Sequence, residues 1–347
     1  MVRGIMNFGL AVVAFLLTCS GLHAILPLPE IDEVSDKLRY FKAHKDEFDT
    51  VFVGSSRTYH QISPEIFDEI MEQNRQPTRS FNFGIDGMNL PESAYVLELI
   101  LDTKPANLKW VVVELDELQT NWFFQGEGSR RALYWHDWKR TSLVLRKVLG
   151  ARTGFLWLPS GQKLLHAIFH KGPRSLVVFH TAQFQKNFTN LGRASDLWDY
   201  FSGRHPIAKT NWLGLTSDGY RPMKKVMGPA KAKEYEKILS RALEKTKPEL
   251  VSVYTEKSCR QCASEIRRHG ATPVFLVQPT PTVQTELTFR GEAPGAVISF
   301  NNARLYPDLF KNEWRIDIAH LNKPAAEGFT RLMANKFAEY LREEKIH

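Results

Sequence analysis

The sequence predicts an α/β protein built on a mainly parallel sheet with helices on both faces. Two observations predict this class. Short, almost wholly apolar runs end in glycine-containing turns, as strands buried on both faces do. Each such run is followed by an amphipathic, capped helix rather than by a second strand. A third observation adds a feature outside that body, a single long apolar segment at the N-terminus.

That segment runs from Ile5 to Leu26 and is broken only by Asn7, Thr18, Ser20 and His23. As a helix of about 22 residues it would be roughly 33 Å long, enough to span a bilayer core. Pro27 and Pro29 end it. Arg3 precedes it, and Glu30, Asp32, Glu33 and Asp36 follow, so the positive-inside rule places the body outside the cytoplasm. Leu22-His23-Ala24 is a poor small-x-small cleavage site, and Leu16-Leu17-Thr18-Cys19 a poor lipoprotein site. An uncleaved signal anchor over residues 1–28 is therefore preferred to a cleaved signal peptide. Either way the body is exported, which makes nucleic acid an unsuitable partner.

Beyond residue 45 the elements follow in order. Asp49–Val53 reads as a first strand, closed by Gly54-Ser55-Ser56-Arg57. Ser63-Pro64-Glu65 opens a helix, with proline at the first turn, where its missing N–H costs nothing. Arg79–Phe83 is a second strand, closed by Gly84-Ile85-Asp86-Gly87, and a helix follows over Pro91–Asp102. Leu108–Leu115 is a third strand. Farther on, Lys231–Lys245 and Leu250–His269 are helical and Thr272–Gln278 is a strand. Ala296–Phe300 is the last strand, and Pro324–Leu341 a closing helix with Phe329, Leu332, Met333 and Phe337 on one face.

The 347 residues are 43% hydrophobic and 24% charged, which excludes a disordered chain and a disulfide-stapled miniprotein. A mean hydropathy of -0.31 excludes a polytopic membrane protein. The net charge of +8 is unevenly distributed. Residues 121–250 carry 23 Lys and Arg against 9 Asp and Glu, whereas the rest of the chain carries 23 against 29. A mildly acidic body is thus interrupted, at about 120–230, by a basic insertion, which points to an anionic or glycan partner. Six of the eight Trp lie there, and Arg130 and Arg131 are interleaved with Tyr134, Trp135 and Trp138. Such residues suit sugar stacking, phosphate pairing or an interfacial position; packing of a local core is the competing use. Gly161–Lys171 has the pattern of an amphipathic helix.

Cys259-Arg-Gln-Cys262 is a lone C-x-x-C within a helix, without the second pair that a zinc site needs. His136 and Asp137 have no metal-ligand spacing, and no cofactor motif is present. In a parallel sheet the chemistry gathers at the carboxyl ends of the strands. Three groups lie there: Gly54–Arg57, Asn82–Gly87 and Asp317–Asn322. They supply a serine hydroxyl, glycine-turn N–H groups for an oxyanion, and an Asp-x-x-His pair, the parts that acyl transfer needs.

In that order and context, residues 48–115 and 270–342 resemble the SGNH, or GDSL-like, hydrolase superfamily of flavodoxin-like fold. The resemblance implies Ser56 as nucleophile, with Ser56 N–H and Gly87 as oxyanion donors. It also implies His320 as base and Asp317 as its orienting carboxylate. Ser55 stands where the family usually has Asp. The Gly-Ser-Ser start, the Asp-x-x-His-Leu end and the anchor together look like DltD-type cell-envelope acyl-transfer proteins. The resemblance thus implies a membrane-anchored, exported serine esterase or O-acyltransferase, possible partners including a membrane-bound O-acyltransferase. Arg57, beside the nucleophile, is a candidate for holding a donor phosphate or carboxylate; Arg130, Arg131 and Trp135 are candidates for substrate binding. One departure is plain: the third strand leads into Glu114-Leu115-Asp116-Glu117-Leu118-Gln119, with no Asn in register with the family's oxyanion donor. Asn121, Gln119 or an arginine substitutes for it, or the site is a slower, specialised transferase, or it is a non-catalytic binding or scaffolding body.

Overall fold

A computed structural model describes residues 2–26, 28–118, 130–150, 173–190, 198, 201–203, 211–245, 247–281 and 287–344. Gln119, Asn121 and the predicted helix over Gly161–Lys171 lie outside these residues. The chain divides into two compact units, residues 1–35 with 119–208 and residues 36–118 with 209–347.

The second unit holds a five-stranded, all-parallel sheet. Its strands are β1 (Thr50–Gly54), β2 (Ser80–Gly84), β3 (Trp110–Glu114), β5 (Thr272–Val277) and β7 (Ala296–Ser299), in the spatial order β2-β1-β3-β5-β7. Two short strands, β4 (Glu249–Leu250) and β6 (Leu287–Thr288), pair separately. The register Val51↔Phe81 and Val51↔Val111 aligns the apolar runs across the sheet. Every residue of β1 and β2 is buried, as in a sheet covered on both faces.

Side chains of a strand point alternately to the two faces, and the two layers follow that alternation. Phe52, Val112, Val274 and Leu276 pack with α4 (Pro64–Gln73) and α11 (Lys323–Glu344) through Phe67, Met71, Phe329, Met333 and Phe337. The opposite face, with Val51, Val53, Val111 and Val113, is covered by α5 (Leu90–Leu101) and α10 (Val253–Arg268). Phe41 of α2 (Asp32–His44) packs tilted against Phe81, with ring centroids 5.6 Å apart. Caps fix where the helices begin. Ser63, Asn89 and Ser252 each accept a backbone N–H from the first turn of α4, α5 and α10. Both Cys259 and Cys262 are buried on α10 and form no disulfide, so they are helix core.

A short helix, α3 (Ser56–Gln61), stands between β1 and α4, where the sequence predicted only a turn. Residues 211–227 pack with the sheet: Asn82 N–H donates to the Asp218 carbonyl at 2.8 Å and Met227 N–H to the Arg315 carbonyl at 2.8 Å. α9 (Pro229–Glu244) completes this unit, placing buried Tyr235 against Phe310 through a 2.8 Å hydrogen bond.

The first unit is helical: α1 (Val2–Ile25), α6 (Arg130–Tyr134), α7 (Trp138–Gly150) and α8 (Pro173–Thr189). Arg3–Ile25 is long and apolar enough to cross a membrane, with a hydropathy of 2.0 and only 6% of that stretch buried. Leu143, Val144, Val148 and Phe179 are buried between α7 and α8.

Candidate active site

The end of β1 and the start of α3 form a tight elbow, and Gly54 is a steric requirement of it. A Cβ at Gly54 would lie 2.1 Å from Thr58 Oγ1 and 2.4 Å from Glu114 Oε2. Ser55 caps α3, its hydroxyl accepting the Arg57 N–H at 3.2 Å. Glu114, at the end of β3, holds the elbow from beneath. It accepts the Ser55 N–H at 2.7 Å, the Ser55 hydroxyl at 2.9 Å and the Thr58 hydroxyl at 2.8 Å. Ser56 therefore opens α3 with its side chain outward. Its N–H, the first of the helix, has no intrahelical carbonyl to bond.

The serine meets a histidine that lies 264 residues away in the chain. Ser56 Oγ is 2.7 Å from His320 Nε2. His320 Nδ1 is 2.9 Å from Asp317 Oδ1 and 3.0 Å from Oδ2. Asp317 and His320 share a tight loop closed by the Ile316 N–H to His320 carbonyl bond at 3.0 Å, next to an Arg315–Leu321 bridge. Asp317 Oδ1 also accepts the N–H groups of Ala319 and His320 at 2.8 and 2.9 Å. Burial pushes the Asp317 carboxyl up. The hydrogen bond and charge of His320, with the two backbone N–H groups, outweigh that and leave it at about 2.

Gly87 lies in the turn after β2. Met88 N–H donates to the Ile85 carbonyl at 3.1 Å, with Gly87 at φ 64, the left-handed position of a type II turn. The turn hangs from β1, because Ile85 N–H donates to the Gly54 carbonyl at 2.9 Å. Gly87 and Ser56 thus stand at neighbouring strand ends.

The candidate substrate residues are placed differently. Arg57 is not presented to a ligand. Its guanidinium, with 12% of the side chain exposed, is 2.5 Å from both Glu114 and Asp116. Burial works against its charge, and the two carboxylates more than offset that, holding it above its ordinary value. Arg130, Arg131 and Trp135 belong to the other unit. Arg130 is exposed. Arg131 is paired with Glu33. Trp135 is fully buried and stacked on His136, ring centroids 3.7 Å apart, so it offers no face for a sugar. Trp135 and Arg131 are thus engaged within their own unit. Trp138 and Trp198, by contrast, are exposed. Among the described residues no three His, Cys, Asp or Glu side chains gather as a metal site.

Three supporting residues escaped the sequence reading. Arg315, fully buried, donates to the carbonyls of Leu309, Pro279 and Ile318 at 2.7, 2.8 and 3.0 Å, gripping the Asp317–His320 loop from inside. Gln61, the last residue of α3, accepts the Leu321 N–H at 2.8 Å and so ties the serine helix to the histidine loop. His60, one turn after Ser56, has its ring centroid 6.3 Å from that of His320. The signals were spacing alone, four residues from Ser56 and two from Asp317, and neither specifies a partner.

No family model matches the chain, and no curated protein matches it.

Proposed function

We propose that the chain is a membrane-anchored serine acyl-esterase or O-acyltransferase of SGNH type, acting outside the cytoplasm on a cell-envelope polysaccharide or lipid. The single observation that carries this reading is the relay from Ser56 Oγ through His320 to Asp317, at 2.7 and 2.9 Å. A hydroxyl on the ring nitrogen opposite a carboxylate-bound Nδ1 is the arrangement in which the imidazole takes the serine proton. Counting only the strands of the five-stranded sheet, the order 2-1-3-4-5 also fits the flavodoxin-like class.

In this mechanism Ser56 Oγ attacks the acyl carbon of an ester while His320 Nε2 takes its proton. Asp317 holds Nδ1–H and stabilises the imidazolium. The N–H groups of Ser56 and Gly87 receive the oxyanion. As the tetrahedral species collapses, the C–O bond to the alcohol breaks and His320 returns its proton to that leaving oxygen. Water or a sugar hydroxyl then attacks the acyl-serine, again giving its proton to His320; the bond from the acyl carbon to Ser56 Oγ breaks, and His320 returns that proton to Oγ. No Asn stands in register after the third strand, and Gln119 and Asn121 lie outside the described residues; loss of one such donor is worth about 2.7–4 kcal/mol in a serine protease. That departure, with the positive surplus of residues 121–250, favours a second reading: an SGNH-type body that binds an anionic envelope polymer or scaffolds a membrane O-acyltransferase without turnover.

Labelling of the full-length protein with a fluorophosphonate separates the two. Labelling in the wild type that disappears in Ser56→Ala supports the enzyme. A wild type as unreactive as Ser56→Ala rules it out and leaves the binding body.

A further inference from the structure

His60 is 5% exposed, and both of its ring nitrogens meet acceptors. Nε2 lies 2.7 Å from Asp86 Oδ1, and Nδ1 lies 2.5 Å from the Arg221 carbonyl. A neutral imidazole has one donor and one acceptor nitrogen, whereas the imidazolium has two donors. A carbonyl and an ionised carboxylate only accept. Both bonds are made at once only when His60 carries both ring protons. The groups around the ring come from four elements: Asp86 from the turn after β2, Arg221 from the 211–227 segment, His320 from the loop before α11, and Tyr59 from α3 itself. Their rings lie 6.3 Å (His320) and 4.5 Å (Tyr59) away. Among the described residues Asp86 is the carboxylate that pairs with the ring, and it balances the imidazolium charge.

We propose that the His60 imidazolium is a positioning residue, clamping the turn that carries Gly87 to the helix that carries Ser56. The proposal rests on the reading of Ser56 as nucleophile and Gly87 as oxyanion donor. Asp86 directly precedes Gly87 in the Ile85–Met88 turn, and His60 shares α3 with Ser56. The His60–Asp86 bond is therefore a cross-link between the nucleophile and the oxyanion turn. Its third arm, to Arg221, fixes both to the 211–227 segment. Because both nitrogens are occupied, the ring reaches no substrate and is not itself catalytic.

The test uses the full-length protein in detergent, with His60→Gln and Asp86→Asn. Three readouts are taken: ring ¹⁵N spectra of labelled histidine, hydrogen exchange over residues 84–90, and the rate of Ser56 phosphonylation against pH. The wild type is expected to show a proton on each His60 ring nitrogen, as the two acceptors require. Both variants are expected to exchange the Ile85 and Met88 amides about tenfold faster and to react about tenfold more slowly at Ser56. A bare ring nitrogen on His60 at neutral pH, or unchanged exchange in both variants, overturns the proposal. If the wild type never reacts at Ser56, the catalytic reading fails, while the spectra and the exchange still decide the clamp.

Discussion

Replacing Asp317 by Asn tests the relay at its far end, and the geometry fixes what should happen. Asp317 Oδ1 accepts two backbone N–H groups, from Ala319 and His320, so the amide oxygen of Asn must occupy that position. The amide nitrogen then stands where Oδ2 was, 3.0 Å from His320 Nδ1. It donates, and the favoured tautomer of His320 becomes the one with its proton on Nε2. That proton faces Ser56 Oγ, and the base can no longer accept. In serine-triad enzymes the wrong tautomer costs about four orders of magnitude. An expected loss of about 10²–10⁴-fold in Ser56 phosphonylation follows. Stability should fall far less. The carboxyl is lowered from 3.8 to about 2, nominally roughly 2 kcal/mol, and solvent screening of a side chain that is 35% exposed reduces this to about 1 kcal/mol. The acid is depressed in the fold, so its contribution is present above about pH 4 and is lost as pH falls toward 2. Stopped-time labelling at pH 7 and thermal melts from pH 2 to 7 give both numbers. An Asp317→Asn protein that labels at the wild-type rate would refute the reasoning.

Other perturbations report on the frame around the relay. Gly54→Ala drives a methyl into Thr58 and Glu114, at 2.1 and 2.4 Å, and should cost about 1–3 kcal/mol while abolishing labelling; a melt together with a labelling assay checks this. Arg315→Lys keeps the charge but loses the planar fork that spans three carbonyls, so about 1–3 kcal/mol of stability should go. Its labelling rate should fall as the His320 loop shifts, with no loss of Ser56 itself. Asp68 is pushed up by burial to about 6, against the hydrogen bonds of Ser80 and Thr78. Its folded form prefers the proton, so this group stabilises the fold below about pH 4 and that benefit is lost as pH rises through 6, a change of roughly 2–3 kcal/mol. Denaturant melts at pH 4 and pH 7 should show that component disappear in Asp68→Asn.

The sequence by itself determined the strands, because residues buried on both faces must be apolar throughout, as in Val51-Phe52-Val53 and Val111-Val112-Val113. It also determined the helix start at Ser63, since a cap bonds only to its own first turn. The apolar helix at Arg3–Ile25 is likewise legible, length and composition being all that such a span requires. The groups Gly54–Arg57, Asn82–Gly87 and Asp317–Asn322 were nameable because strand ends in a parallel sheet converge on one edge, and the resemblance singled out Ser56, Gly87, Asp317 and His320 within them. What those residues touch was not. Whether Arg57 faces a ligand or Glu114, whether Trp135 stacks on a sugar or on His136, and whether His60 meets Asp86 depend on pairs tens to hundreds of residues apart. Local spacing carries no information about such pairs. Only the packed chain decides them, because burial forces each charge and ring nitrogen to find its partner wherever the fold has placed one.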